Sequence, residues 1–223
     1  MTQNSLPIKD CGSNNIFEIY NITASNSSIK IFGSNNKIQI EDDVVLNFVQ
    51  IIINGDHCNL KIQKKTTFKS GATFTLQNRA SILIGRRVSA ASDFEVIANG
   101  ANITIDHDCM IARGVCLRSS DMHSIFDIST GKKINKSNDI IVNRYVWLCR
   151  NATILKGVTI GSGSVVGCES VLTKNVPECC IAAGNPAKIV KQNIIWSFKD
   201  LANNLKDANT AKRYLKAIKN IEV

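Results

Sequence analysis

Aliphatic side chains recur every six residues through the middle of the chain, and that spacing decides what it can fold into. Val142, Leu148, Ile154, Ile160, Val166 and Leu172 follow one another at this interval without a slip. Small or β-branched residues stand four positions after each of the first five, at Val146, Ala152, Val158, Ser164 and Ser170. A helix repeats at 3.6 residues and a flat strand at 2.0, so neither carries a period of six. A triangular coil does. Three short strands make one turn of about 18 residues, each strand sending one aliphatic side chain inward. Stacked coils bury a continuous ladder, each side chain contributing about 1.5–3 kcal/mol.

The same period returns at Ile105, Ile111 and Leu117, and more loosely at Ile84, Ala90 and Val96. A longer period of 21 or 22 residues runs through Gly12-Ser-Asn-Asn15, Gly33-Ser-Asn-Asn36, Gly55-Asp-His-Cys58 and Gly100-Ala-Asn102. Coils of that length are the same coil with extra residues at a corner. Composition agrees: 31 Ile against 12 Leu, with 24 Asn, suits many short strands and turns rather than a helical bundle. From Gly12 to Val190 the count is about eight coils.

The repeats Ile160-Gly-Ser-Gly-Ser-Val165 and Val166-Gly-Cys-Glu-Ser-Val171 resemble those of the hexapeptide acyltransferases. The resemblance implies an all-β, left-handed parallel β-helix over residues 1–192. The hand comes from the family, since ordinary parallel crossovers are right-handed.

Two segments break the period. Residues 118–143 are rich in Asp, Ser, Gly and Lys and read as a loop extruded from the prism; long loops in a regular solenoid are usually functional. After the repeat, Ile194, Phe198, Leu201, Leu205, Ala208, Leu215 and Ile218 recur at helical spacing, with Ser197 and Asp200 as a capping start. This predicts an amphipathic helix over about 197–219, in a C-terminal unit of residues 193–223, packed on the prism or on a neighbouring subunit.

Charge follows the same division. The chain carries a net +9, of which +5 lies in residues 186–223 and +3 in residues 118–150. A basic loop suggests an anionic ligand. A solvated Lys-rich helix face explains the tail equally well. No apolar run approaches the roughly 18 residues of a membrane span, and the N-terminus lacks a signal-peptide pattern, so a cytoplasmic protein is expected. The 8 cysteines form no CxxC pair and are expected reduced.

The chemistry rests on few residues. His123, in Ser119-Ser-Asp-Met-His123, lies at the start of the loop, and neutral imidazole is the usual base for activating a hydroxyl. Asp121 or a backbone carbonyl would fix its tautomer. Asp121-Met-His123, then Thr130-Gly131 and Ile134-Asn135, then Val146-Trp-Leu148, then Ala182-Ala-Gly-Asn-Pro-Ala-Lys188 resemble the sugar O-acetyltransferases. The continuation from Lys188 to Trp196 resembles the bacterial enzymes that O-acetylate polysialic and sialic-acid-containing capsules. The match is specific over about 105–196 and weak before it.

That resemblance implies an acetyl-CoA-dependent O-acetyltransferase acting on a surface polysaccharide, assembled as a homotrimer. It makes His123 the general base and places the Trp147 indole N–H at the thioester sulfur. Arg150, Gly167, Cys168, Thr173, Lys174, Lys188 and Lys191 would hold the cosubstrate, Lys174 and Lys188 foremost. Where relatives usually have Gly after Val-Trp-Ile, this chain has Cys149, a bulkier group beside the pantetheine path.

Other classes fit less well. A zinc carbonic anhydrase of this fold needs three His ligands, and the three here, His57, His107 and His123, lack its spacing, so no metal is expected. Cys109, Cys116 and Cys168 continue the repeat where small apolar residues are wanted, which argues against a cysteine nucleophile. A serine or antibiotic acetyltransferase of the same fold, and a non-enzymatic solenoid binding a polyanion, are the remaining alternatives. No nucleic-acid motif accompanies the basic charge.

Overall fold

The computed structural model describes residues 6–198, and these form a parallel β-solenoid of about eight coils. The chain runs in a fixed cycle over three faces. The first face stacks Ile8–Asp10, Ser28–Ile31, Val49–Ile53, the second halves of Thr67–Gln77 and Ser89–Asn99, then Cys116–Arg118, Thr153–Leu155 and Val171–Leu172. The second runs from Ile16–Ile19 to Thr159–Ile160 as one seven-stranded parallel sheet. The third begins at Thr23–Ser25, takes the first halves of the two long strands, and ends with Met110–Ile111, Trp147–Leu148, Val165–Val166 and Ile181–Gly184. Ala187–Lys191 then turns back antiparallel along Ile181–Gly184.

The aliphatic ladder fills the prism as the six-residue period predicts. Val142, Leu148, Ile154, Ile160, Val166 and Leu172 are all buried in one core with Val146, Ala152 and Val158. Ser164 and Ser170 are buried too, and their hydroxyls stay satisfied: Ser164 Oγ donates to the Pro177 carbonyl at 2.6 Å. Register gives the coil lengths directly. Ile29 pairs with Ile51, 22 residues on, whereas Val142 pairs with Ile160, 18 residues on.

The Gly-Ser-Asn-Asn repeat builds the corner between the first and second faces. A Cβ at Gly33 would lie 2.2 Å from the Gly55 carbonyl oxygen, so only glycine lets successive coils approach this closely. The asparagines link the coils. Asn36 N donates to Asn15 Oδ1 at 2.9 Å, and Cys58 N donates to Asn36 Oδ1 at 2.8 Å. Asn102 and Asp139 carry the same ladder further up that corner.

The extruded loop is shorter than expected. It occupies residues 119–139, because Ile140–Val142 is already a strand of the second face, paired with Ile103–Ile105. Ile140 and Val142 point inward and resume the core. Of the expected C-terminal helix over 197–219, all but the first two residues lie outside the described residues. Among the described residues no helix is long and apolar enough to cross a membrane. Of the three cysteines expected at small apolar positions of the repeat, only Cys109 is buried. Cys116 faces outward from the first face and Cys168 is exposed at a corner, because both fall on outward-pointing phases of the coil.

Candidate functional site

The loop is a braced hairpin. Phe126 and Lys133 face each other antiparallel, and Asp127 Oδ1 caps the tip by accepting from Thr130 N at 2.8 Å. Asn135 closes the base. Its side chain donates to the His123 carbonyl at 2.7 Å and to Asp121 Oδ2 at 2.8 Å, and accepts from Ile125 N at 2.7 Å. Lys156, on the next coil at the same corner, ion-pairs with Asp121. Hydrogen bonds from Lys156 and then Asn135 hold the Asp121 carboxyl below the ordinary aspartate range.

His123 thus has a fixed backbone and an exposed ring. Its amide donates to the Asp121 carbonyl at 2.7 Å, but the imidazole has no hydrogen-bond partner among the described residues. The Asp121 carboxylate is committed to Lys156 and Asn135, so the tautomer of His123 is not set by it.

Trp147 lies elsewhere. It stands on the outer surface of the third face, between the inward-pointing Val146 and Leu148. Residues 192–198 fold back over this face as a strap. Trp196 stacks on Tyr145 with centroids 4.3 Å apart and lies 5.8 Å from the Trp147 ring. Two reciprocal bonds lock it: Trp196 Nε1 donates to the Tyr145 carbonyl at 2.8 Å, and Tyr145 Oη donates to the Trp196 carbonyl at 3.0 Å. Sequence reasoning began the helix only at about 197 and saw no strap before it, since nothing periodic links residues 51 positions apart.

The remaining expected residues divide into groups. Arg150, Gly167 and Cys168 sit together at the corner after Trp147, between the third and first faces. Arg150 there lies 4.0 Å from Glu169, and a Cβ on Gly167 would meet that of Ala183 at 2.9 Å. Cys149 packs with Tyr145, Val165 and Trp196 in the cluster that the strap covers on the outer side of the third face. Burial, and then the neighbouring Cys168, push its thiol up to about 12. Thr173 and Lys174 lie at the opposite corner, the one from which the hairpin leaves. Lys174 and Lys188 line one cleft of about 230 Å³ at the end of the prism, and Lys191 lies opposite Ile181.

Within one copy, therefore, His123 and Trp147 belong to different sides. The hairpin leaves the corner between the first and second faces, which is opposite the third face and its tryptophan. His107 is a structural corner residue: its Nδ1 accepts from Arg86 N at 3.1 Å, and burial lowers its pKa. Among the described residues no three His, Cys, Asp or Glu side chains converge as a metal site.

Comparison with known proteins fits this architecture. No family model matches the chain. A polysialic acid O-acetyltransferase of Neisseria meningitidis is 34% identical over 207 residues, covering 92% of this chain and 96% of the relative. This chain belongs to the polysialic acid O-acetyltransferase family. Another member, from Escherichia coli O1:K1, is 45% identical over 155 residues, and the match spans about half the length of that relative (50%) and 70% of this chain. The crystal structure of the polySia-specific acetyltransferase NeuO superposes with a TM-score of 0.92 at 43% identity, over 97% of this chain and 100% of that one. The family reading made from the loop and tail motifs is thereby met along nearly the whole solenoid, including the N-terminal coils where the motifs were weak.

Proposed function

We propose that this family member transfers the acetyl group of acetyl-CoA to a hydroxyl of a sialic-acid-containing capsular polysaccharide, in the cytoplasm before export. The observation that carries this reading is the braced hairpin, which presents the His123 ring with no hydrogen-bond partner among the described residues, in a chain alike over 92% of its length to a polysialic acid O-acetyltransferase.

The site is shared between copies of a homotrimer. The hairpin corner of one copy, with His123, Thr173 and Lys174, meets the third face of the next, with Trp147, Arg150, Gly167 and Cys168. Exposed Ile125, Phe126, Ile128 and Ile134 on the hairpin supply apolar surface for that contact. Arg150, Lys174, Lys188 and Lys191 meet the phosphates of the donor, as basic side chains do.

In this mechanism His123 takes the proton of the acceptor hydroxyl as its oxygen attacks the thioester carbonyl. Backbone N–H groups steady the tetrahedral oxyanion. The C–S bond breaks, Trp147 donates its indole N–H to the leaving sulfur, and the proton held by His123 returns to the thiolate. The products are the sugar acetate ester and free CoA thiol.

The test is thiol release from acetyl-CoA with oligosialic acid, neutral glycans, serine or chloramphenicol as acceptor. Release with the sialyl acceptor alone, lost in His123→Ala, is expected. Release only with serine or the drug overturns the acceptor, and an undamaged variant removes His123 from the mechanism.

A further inference from the structure

At the corner between the third and first faces, below the coil of Arg150, a cleft of about 390 Å³ opens in the outer surface. Phe48, Gln50, Thr73, Asp93, Glu95 and Gly114 line it. Phe48 is unusual there. Its neighbours on that corner with left-handed backbone are Asn26, Gly71, Asp93, Gly114, Asn151 and Glu169, glycines or polar residues. Phe48 adopts the same conformation at φ 56° and leaves its ring 56% exposed. A bulky side chain at positive φ is strained, and an exposed ring returns little burial for that strain.

Around the ring stand polar groups arranged as for a sugar. Arg113 Nε donates to Asp93 Oδ2 at 2.9 Å, and Arg118 to Glu95 Oε2 at 2.9 Å, so both carboxylates are neutralised. The Cys116 thiol donates to Glu95 Oε2 as well, at 3.1 Å. Asp93 Oδ1 and Glu95 Oε1 keep no hydrogen-bond donor among the described residues. An apolar ring face beside carboxylate oxygens, an amide and a hydroxyl matches a pyranose, whose C–H face stacks on the ring while its hydroxyls donate to the carboxylates. With Arg113 and Arg118 paired to them, Asp93 and Glu95 leave the rim of the cleft without a net negative charge to repel an acidic sugar.

We infer that this cleft is an accessory subsite for one sugar residue of the acceptor chain, stacked on Phe48 and hydrogen-bonded to Asp93 and Glu95. The inference rests on the polysaccharide acceptor proposed above. The cleft is contiguous with the proposed donor corner, since Asn151 N, next to Arg150, donates to the Arg113 carbonyl at 2.9 Å. A polymer whose reacting residue lies by Trp147 can therefore run along this corner, and binding a second residue raises its effective concentration at the site.

The experiment compares wild type with Phe48→Asn, because asparagine accepts the left-handed backbone and removes only the ring. Initial rates are measured against a single sialoside and against long oligosialic acid. KM for the long acceptor is expected to rise about 5- to 10-fold with kcat kept, and KM for the single sialoside to stay put. Equal KM values for wild type and variant on the long acceptor, or an equal rise on both acceptors, overturn the subsite. So does a change in oligomeric size of the variant, which would make the cleft an interface between copies. Ligand-observed NMR of oligosialic acid, with maltooligosaccharide as control, separates this failure from failure of the reaction itself. Ring-dependent contacts in a protein that transfers nothing to sialyl acceptors keep the cleft while discarding the activity, and their absence discards the cleft.

Discussion

Asp121 stands two residues before His123, yet its carboxylate turns to Lys156 and Asn135. The sequence shows an Asp-x-His triplet and invites an Asp–His pair. What it hides is that Lys156, 35 positions on, returns to the same corner one coil later. The consequence is positional: Asp121 fixes the hairpin, and the hairpin fixes His123. Asp121→Asn and Lys156→Met are each expected to lower kcat by about 10- to 100-fold, as small displacements of a catalytic group do. The double variant is expected to be no worse than either alone, since both break one contact. An unchanged kcat would remove the pair from catalysis. The pH dependence has a definite sign. Because the Asp121 carboxyl is held below its ordinary value of about 3.9, its contribution is complete above that pH. It is lost as pH falls through the depressed value, so proton exchange in the hairpin, corrected for the intrinsic rate at each pH, should rise only in that acidic window.

The elements of the solenoid were legible because each obeys one local rule. An inward aliphatic per strand gives the six-residue period, and the glycine and asparagine of the corner between the first and second faces give the longer one. The far edge of the loop was misjudged although Val142 already heads the six-residue series: the polar run before Ile140 hid that the strand begins two residues ahead of it. The strap was illegible for a different reason: Trp196 is held by Tyr145 through bonds with no periodicity at all. Its role can be measured. Trp196→Phe keeps an aromatic ring but removes the bond from Nε1 to the Tyr145 carbonyl, a cost of about 0.5–1.5 kcal/mol. Because Trp196 is only 7% exposed and leans on Trp147, KM for acetyl-CoA is expected to rise along with that loss. Chemical denaturation and initial rates on the same preparations check it. A stability loss with an unmoved KM would make the strap purely structural.

At the scale of the whole molecule, the strand order decides what one copy can do alone. The hairpin of His123 leaves a corner facing away from the surface that carries Trp147. If the reaction needs both, each site takes its histidine from one copy and its tryptophan from the next around a closed ring. Mixed assemblies test this without a ligand structure. His123→Ala and Trp147→Ala are each expected to be nearly inactive as pure proteins. Unfolded together in equal amounts and refolded, they pair an intact histidine with an intact tryptophan at about one site in four. Activity near a quarter of the wild-type level is therefore expected from two inactive parents. A site contained within single copies predicts no recovery, because every copy in the mixture lacks one of the two side chains. Mixing folded proteins without exchange of copies should recover nothing in either case, which makes recovery on refolding the mark of a shared site.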